Sequence, residues 1–381
     1  MSVELNKLCE LIVDCPHSTA ADEGSGYPLI RTPNIGAGYF DLEGVHRVCK
    51  ATYDKRNQRA VPRASDLILA REAPAGNVAI IPEGAEFCLG QRTVLIRPDA
   101  NQVYPPFLNY YLNAPEQQHK LLKNANGATV SHVNMPIIRH LPIELPSMEE
   151  QKRIAGILSA YDSLIENNRK QIKLLEEAAQ RLYKKWFINL HFPGHETAST
   201  NPKTGLPEKW KRIPLGSYQK FKRGNIVTEK NTNPGSIPVV AGGRRPAYYH
   251  DIANTKGPVI TISGSGANAG FTRLYMQNIW ASDCSYVDSS MCQTIFFVYE
   301  TVLVLGNGFK HLQRGSAQPH VYPKDINKLP IILPEETVLN NFEKHASTLY
   351  REISLLEREI NAAREARDRL LPKLIPDEVE A

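Results

Sequence analysis

Residues 127–146, GATVSHVNMPIIRHLPIELP, lie over residues 315–334, GSAQPHVYPKDINKLPIILP, at a constant offset of 188 positions and without a gap. Nine of the twenty positions are identical: Gly127, His132, Val133, Ile138, Leu141, Pro142, Ile143, Leu145 and Pro146. A chain that repeats itself at a fixed offset is built from two copies of one structural unit, and whatever fold one copy takes the other must take too.

The same offset carries on into a helical segment in each half. In the first, Tyr161, Ile165, Asn168, Ile172, Leu175, Ala179, Leu182 and Trp186 step by four and three residues in turn. In the second, Leu349, Ile353, Leu356, Ile360, Ala363, Arg367 and Leu370 hold the equivalent positions. Each is a narrow heptad seam with one polar break, at Asn168 and Arg367, and a seam that narrow has to be buried on another helix. The matched register predicts that the two helices pair with each other. Ser147 and Glu150 make a capping box for the first helix, and His191-Phe192-Pro193-Gly194 ends it. Pro372 disfavours helix at Leu371, so the second is predicted to stop near Leu370. Helices of this length reach on the order of 50 Å at 1.5 Å per residue.

Between the helices lie two blocks broken often by glycine and proline. They contain short β-rich runs, among them Asp66–Ala70, Val94–Ile96, Val259–Ile262 and Thr294–Val298, and each block is predicted to be a compact α/β domain. The chain divides into 1–146, a first globular domain; 147–190, the central helix; 191–335, a linker (His191–Trp210) and second globular domain; and 336–381, the distal helix and tail. The 42% apolar and 22% charged fractions are those of a globular protein. A net charge of +5 permits an acidic partner without demanding one. The charge is uneven: 1–146 carries −1, 147–190 carries +2, 191–335 carries +7 and 336–381 carries −3.

Most chemistry is excluded by what is missing. The six cysteines (Cys9, Cys15, Cys49, Cys88, Cys284, Cys292) form no Cys-x-x-Cys pair, so reduced, mostly buried thiols in a cytoplasmic protein are expected and no metal site. No stretch looks like a signal peptide or a membrane span. Tyr104-Pro105-Pro106-Phe107 lacks the Asn or Asp that opens the motif of amino-methyltransferases, and no glycine-rich site for S-adenosylmethionine precedes it. Gly264-Ser265-Gly266 with Gly270 has the wrong spacing for a dinucleotide and no Lys-Ser/Thr to grip phosphates. Among the eleven histidines no base beside a nucleophile is recognisable. No catalytic residue is expected.

Two globular domains, each followed by a similar long helix, resemble the specificity (S) subunits of type I restriction-modification systems, and the likeness covers nearly the whole chain. Cys15-Pro16-His17-Ser18, Gly26–Arg31 and Asn34-Ile35 look like the opening of a target recognition domain. Asp66–Arg71 with Gly76–Ala79 looks like its central strand and loop. Pro142–Gln151 with Ile154 and Ile157-Leu158 is similar to the family's entry into the long helix. In the second half, Leu206–Trp210, Ala241-Gly242-Gly243, Tyr248 and Ser263–Gly270 are similar to the second such domain, whereas Glu335–Leu339 departs from the Glu-Gln helix entry.

The resemblance implies an α+β, mixed α/β fold: two pseudo-repeated target recognition domains separated by two long helices that form an antiparallel coiled coil. It implies a non-catalytic subunit that reads a bipartite site in double-stranded DNA and docks two modification (adenine methyltransferase) subunits, with restriction/translocase subunits where the system has them. No cofactor belongs to this chain: S-adenosylmethionine would sit in the modification subunit, ATP and Mg in a restriction subunit.

Base reading needs forked or amide side chains on loops. The candidates are Arg31, Asn34, Arg71, Asn77, Gln91 and Arg92 in the first domain. In the second they are Lys222, Arg223, Arg244, Arg245, Tyr248, Lys310, His311 and Arg314, any of which could equally touch phosphate. Arg244-Arg245 and Phe309-Lys310-His311 stand out, because basic groups sit beside aromatic residues on glycine-rich loops. Three other readings stay open: a stand-alone two-domain DNA-binding or regulatory protein lacking a methyltransferase partner, an enzyme with an unrecognised site, and a helical scaffold whose globular blocks bind protein.

Overall fold

A computed structural model describes residues 2–123, 132–306 and 319–375. The chain forms two compact units, Met1–Glu166 with Asn361–Ala381, and Asn167–Ile360. The division falls inside both long helices, Met148–Tyr183 and Glu336–Leu374.

In the first unit a four-stranded antiparallel sheet runs in the order Cys9–Asp14, Thr93–Pro98, Leu67–Ala70, Val78–Ile80. Successive side chains of a strand point to opposite faces, and here both faces are covered. Leu67, Leu69, Val94 and Ile96 pack with Phe107, Leu108 and Tyr111 of the helix Pro105–Asn113. Ile68, Ala70 and Leu95 face the other way, toward Ile30, Ile35 and Phe87. That double burial is why Leu67–Ala70 reads as an unbroken apolar run and not as an alternation. A three-stranded sheet joins Tyr27–Ile30 antiparallel to Arg47–Val48 and parallel to Cys88–Leu89. Ser2–Glu4 pairs with Pro142–Glu144.

The second unit repeats this connectivity strand for strand. Its four-stranded sheet runs Lys222–Arg223, Cys284–Asp288, Val259–Ser263, Thr272–Tyr275. Ile237–Val240 lies antiparallel to Tyr248–His250 and parallel to Trp280–Ala281, and Lys211–Pro214 pairs with Pro330–Leu333. The helix Ile295–Leu305 occupies the place of Pro105–Asn113. The expectation of β structure at Thr294–Val298 is therefore corrected. An apolar run buried all round carries no period to separate strand from helix, and tertiary contacts decide it: the carboxylate of Glu343 on the distal helix accepts the N–H groups of Phe296 and Phe297 at 3.0 Å each, capping the helix from outside its own sequence.

Within each unit the two long helices run antiparallel. In the first, Asp162 meets Arg367 at 2.6 Å, and Ile154 and Leu158 share a core with Leu370, Leu374 and Ile375. In the second, Asn168 donates to Glu359 at 3.0 Å, and Trp186 and Phe187 pack on Phe342. Of the seam positions, Ile165, Asn168, Ile353, Leu356, Ile360 and Ala363 are buried, while Tyr161, Ile172, Leu175, Leu182, Leu349 and Leu370 are half-buried. Both polar breaks are thus partnered across the seam.

Three local expectations are revised. Ser147 Oγ does accept the N–H of Glu150, at 3.3 Å, but the Glu150 carboxylate turns to Arg153 and does not close the box. The distal helix passes Pro372 and ends at Leu374. A proline there removes one backbone bond in the last turn, which the packing of Leu371, Leu374 and Ile375 offsets. His191–Trp210 is no loose linker: Phe192, Leu206 and Trp210 are buried, with Phe192 and Trp210 rings 4.9 Å apart. Among the described residues, no helix is long and apolar enough to cross a membrane, and no cluster of His, Cys, Asp and Glu could hold a metal ion.

Candidate nucleic-acid interface

The end of each four-stranded sheet where the first strand leaves carries an ionic cluster, and the two clusters are built differently at matching positions. In the first unit Asp14 stands opposite Val94, and in the second Arg223 stands opposite Ser285, the same register of the same strand pair. Asp14 holds Arg71 at 2.7 Å. Arg71 is 7% exposed; its Nε donates to the Val133 carbonyl at 2.9 Å and its Nη2 to His132 Nε2 at 2.7 Å. With Nε2 accepting, the His132 proton sits on Nδ1, which donates to Glu72. Glu72 in turn pairs with Arg92 at 2.8 Å, and Arg92 is half exposed. In the second unit Gly264 replaces Arg71, and a β-carbon there would press on Arg223 Nη1 at 2.8 Å. Arg223 pairs with Asp283, which also accepts from Ser265 Oγ. Acid and base have exchanged places between the copies: Asp14 and Arg92 in one, Arg223 and Asp283 in the other.

This geometry sorts the expected DNA contacts. Asn34 and Arg71 turn inward, a correction to their expected place at base edges. Asn34 is 6% exposed, with its amide spent on Arg31 N–H and the Asp41 carbonyl. Asn77 is half-buried and donates to the Ile35 carbonyl at 2.9 Å. These three build loops. Arg31 is half-buried; Gln91 accepts from Thr19 Oγ1 at 2.9 Å beside the exposed Arg92. In the second unit Lys222, Arg223, Arg244 and Arg245 are exposed. Arg244 lies over the Phe271 ring, 5.4 Å from its centre, so a cation is held on an aromatic face. Arg273 reaches back to the Arg244 carbonyl at 3.3 Å and lies over Tyr275. The Tyr248 hydroxyl donates to the Val227 carbonyl, and burial raises its pKa. Lys310, His311 and Arg314, with Phe309, lie outside the described residues.

Sequence reasoning missed a basic group in the first unit. Lys55, Arg56 and Arg59 line a cavity of about 410 Å³ with Ser18 and Thr19. Its signal in the sequence is the run Lys55-Arg56-Asn57-Gln58-Arg59, basic residues at the end of a short helix.

Residues 1–177 match the family model described as type I restriction modification DNA specificity domain. The chain is 25% identical to the type I restriction enzyme MjaIX specificity subunit of Methanocaldococcus jannaschii, over 92% of this chain and 86% of that one. It is 31% identical to the putative MjaX specificity subunit of the same organism, over 58% of this chain and 52% of that one. The crystal structure of the type I restriction-modification S subunit from M. genitalium covers all of this chain and 96% of its own at a TM-score of 0.61, with 18% identity, a likeness of fold. The duplicated topology and the paired helices agree with these likenesses: residues 1–177 match the type I restriction modification DNA specificity domain, and the relatives that the chain resembles are named specificity subunits of type I restriction enzymes.

Proposed function

We propose that each repeated domain, 1–146 and the second within 191–335, reads one half of a bipartite site in double-stranded DNA. The two long helices dock two modification subunits that methylate adenine, and restriction subunits where the system has them. S-adenosylmethionine belongs to the modification subunits, ATP and Mg to the restriction subunits, and the whole acts in the cytoplasm. The observation that carries this reading is the exact-order repetition of one strand topology with different polar residues at matched positions. One scaffold presenting two chemistries suits two half-sites of different sequence. Exposed forks at Arg92, Arg244 and Arg245 suit guanine, and Gln91 suits adenine.

The test is a map of adenine methylation across the host genome with this gene intact and disrupted. Loss of one bipartite motif is expected, and Arg244→Ala should relax one half of it only. No change in a strain with an active modification subunit would overturn the reading in favour of a stand-alone DNA-binding protein.

A further inference from the structure

We propose that the first repeated domain grips a DNA backbone phosphate in the basic cavity at Ser18, Thr19, Lys55, Arg56 and Arg59, and that Thr19 couples this grip to the base-reading loop at Gln91. This rests on the reading of the chain as a DNA-recognition subunit and names a contact within it.

The case starts from Arg56, which is 5% exposed. Its Nε donates to the Leu89 carbonyl at 2.7 Å, its Nη1 to the Ser18 carbonyl at 2.8 Å and its Nη2 to the Pro16 carbonyl at 3.5 Å. Arg59 Nη1 donates to the carbonyls of Asp14 and Cys15, at 3.0 and 3.4 Å. Every one of these acceptors is neutral. A buried guanidinium is expensive without an opposing charge, and the nearby carboxylates are spent elsewhere. Glu23, the one carboxylate lining the cavity, accepts from the Cys49 N–H and the Thr52 hydroxyl at 2.7 Å each. Asp54 holds Lys50 at 2.5 Å, and Asp14 holds Arg71. Lys55 is exposed on the rim and meets no acceptor among the described residues. Lys55, Arg56 and Arg59 all line the cavity, and among the described residues no carboxylate pairs with any of them.

An anion there has a structural consequence. Thr19, in the cavity wall, donates its hydroxyl to Gln91 Oε1 at 2.9 Å. That bond ties the Gln91 side chain, and with it the loop that carries Arg92, to the cavity wall. The second unit has no counterpart, since no helix lies between Tyr248–His250 and Val259–Ser263. The first domain, with net charge −1 over 1–146, thus gathers its phosphate-binding charge at one point.

The test uses the full chain and a duplex that it selects from a random library. Each phosphate neutralised contributes about −0.9 to the slope of log affinity against log salt. Lys55→Ala should flatten the slope by about 1 and weaken binding several-fold at about 0.15 M salt, with base preference and melting temperature unchanged. Thr19→Val should leave the slope unchanged and broaden preference at one position of one half-site. Wild-type selection of a bipartite duplex together with an unaltered slope for both Lys55→Ala and Lys55→Glu would overturn this contact alone. Protection of Lys55 from acetylation by inorganic phosphate but not by the duplex would assign a small-anion site and overturn it too. Failure of the wild type to select any sequence would overturn the recognition reading and this contact with it.

Discussion

Arg367 of the distal helix donates to Asp162 of the central helix at 2.6 Å, and the other oxygen of that carboxylate accepts the Tyr110 hydroxyl at 2.5 Å. One carboxylate thus ties the helix pair to the helix that covers the first domain's sheet. Burial, and then the charge of Asp162, raise the Tyr110 phenol's pKa, so it stays a donor throughout the working range. Asp162→Ala leaves a half-buried guanidinium and a buried hydroxyl short of an acceptor. We expect a loss of about 1–3 kcal/mol in urea unfolding, with Asp162→Asn recovering part of it. A loss below about 0.5 kcal/mol, the range of ordinary surface substitutions, would show the link to be incidental.

Asp66 and Arg97 form a second, more buried pair inside the first domain. Nε and Nη2 of Arg97 each donate to one carboxylate oxygen at 2.8 Å, and the aspartate side chain is 3% exposed. Removing one partner strands the other charge, so Asp66→Ala should destabilise by about 3–5 kcal/mol. The double variant Asp66→Leu with Arg97→Met should be markedly more stable than either single change. Additive losses in calorimetry would contradict this.

Stability of the second unit should fall as pH rises from weakly acid to neutral. Glu300 and Glu343 are buried, and that burial pushes both pKa values up to about 7 from the ordinary 4.5. The folded state then holds protons that the unfolded chain has already released, so stability is full below about pH 4.5 and is lost as pH climbs through about 7. One Glu300 oxygen accepts from Tyr350 at 2.5 Å and the other has no partner among the described residues, which suits a protonated acid. Glu300→Gln keeps an acceptor for Tyr350 and removes the titration. Its melting temperature should vary less between pH 5 and pH 8 than that of the wild type; an equal variation would place the dependence elsewhere.

Thiol reagents should find Cys49 first. It alone of the six cysteines is exposed, whereas burial raises Cys9 and Cys284 to about 12 and Cys88 and Cys292 to about 11. Maleimide labelling of the native chain at neutral pH should modify Cys49 alone within minutes. Labelling of Cys49→Ser at the wild-type rate would contradict the burial of the others.

The duplication was legible because Gly127–Pro146 and Gly315–Pro334 share nine identical residues at one offset, and the heptads follow at once. Helix pairing was legible for the same reason: a narrow seam has few ways to be buried. The strands Leu67–Ala70 and Val259–Ser263 declared themselves as apolar runs bounded by turn residues. The run at Thr294–Val298 looked alike and became a helix, because Glu343, nearly fifty positions away, caps it.

The candidate interface was far less legible. Asn34 and Arg71 have the side chains of base readers, yet both are drawn inward, Asn34 by its near neighbours Arg31 and Asp41 and Arg71 by Val133 and His132, far along the chain. Lys55, Arg56 and Arg59 sit in an unremarkable basic run until the fold brings Ser18 and Thr19 to face them. What the sequence by itself determined was periodic and local: two copies of one unit, two amphipathic helices, and an absence of recognisable catalytic motifs. What only the tertiary structure decided was which charges are spent. An ion pair between residues such as Asp14 and Arg71, or Arg367 and Asp162, leaves no periodic trace in the chain, and only three-dimensional proximity separates a charged side chain that holds the protein together from one left at the surface.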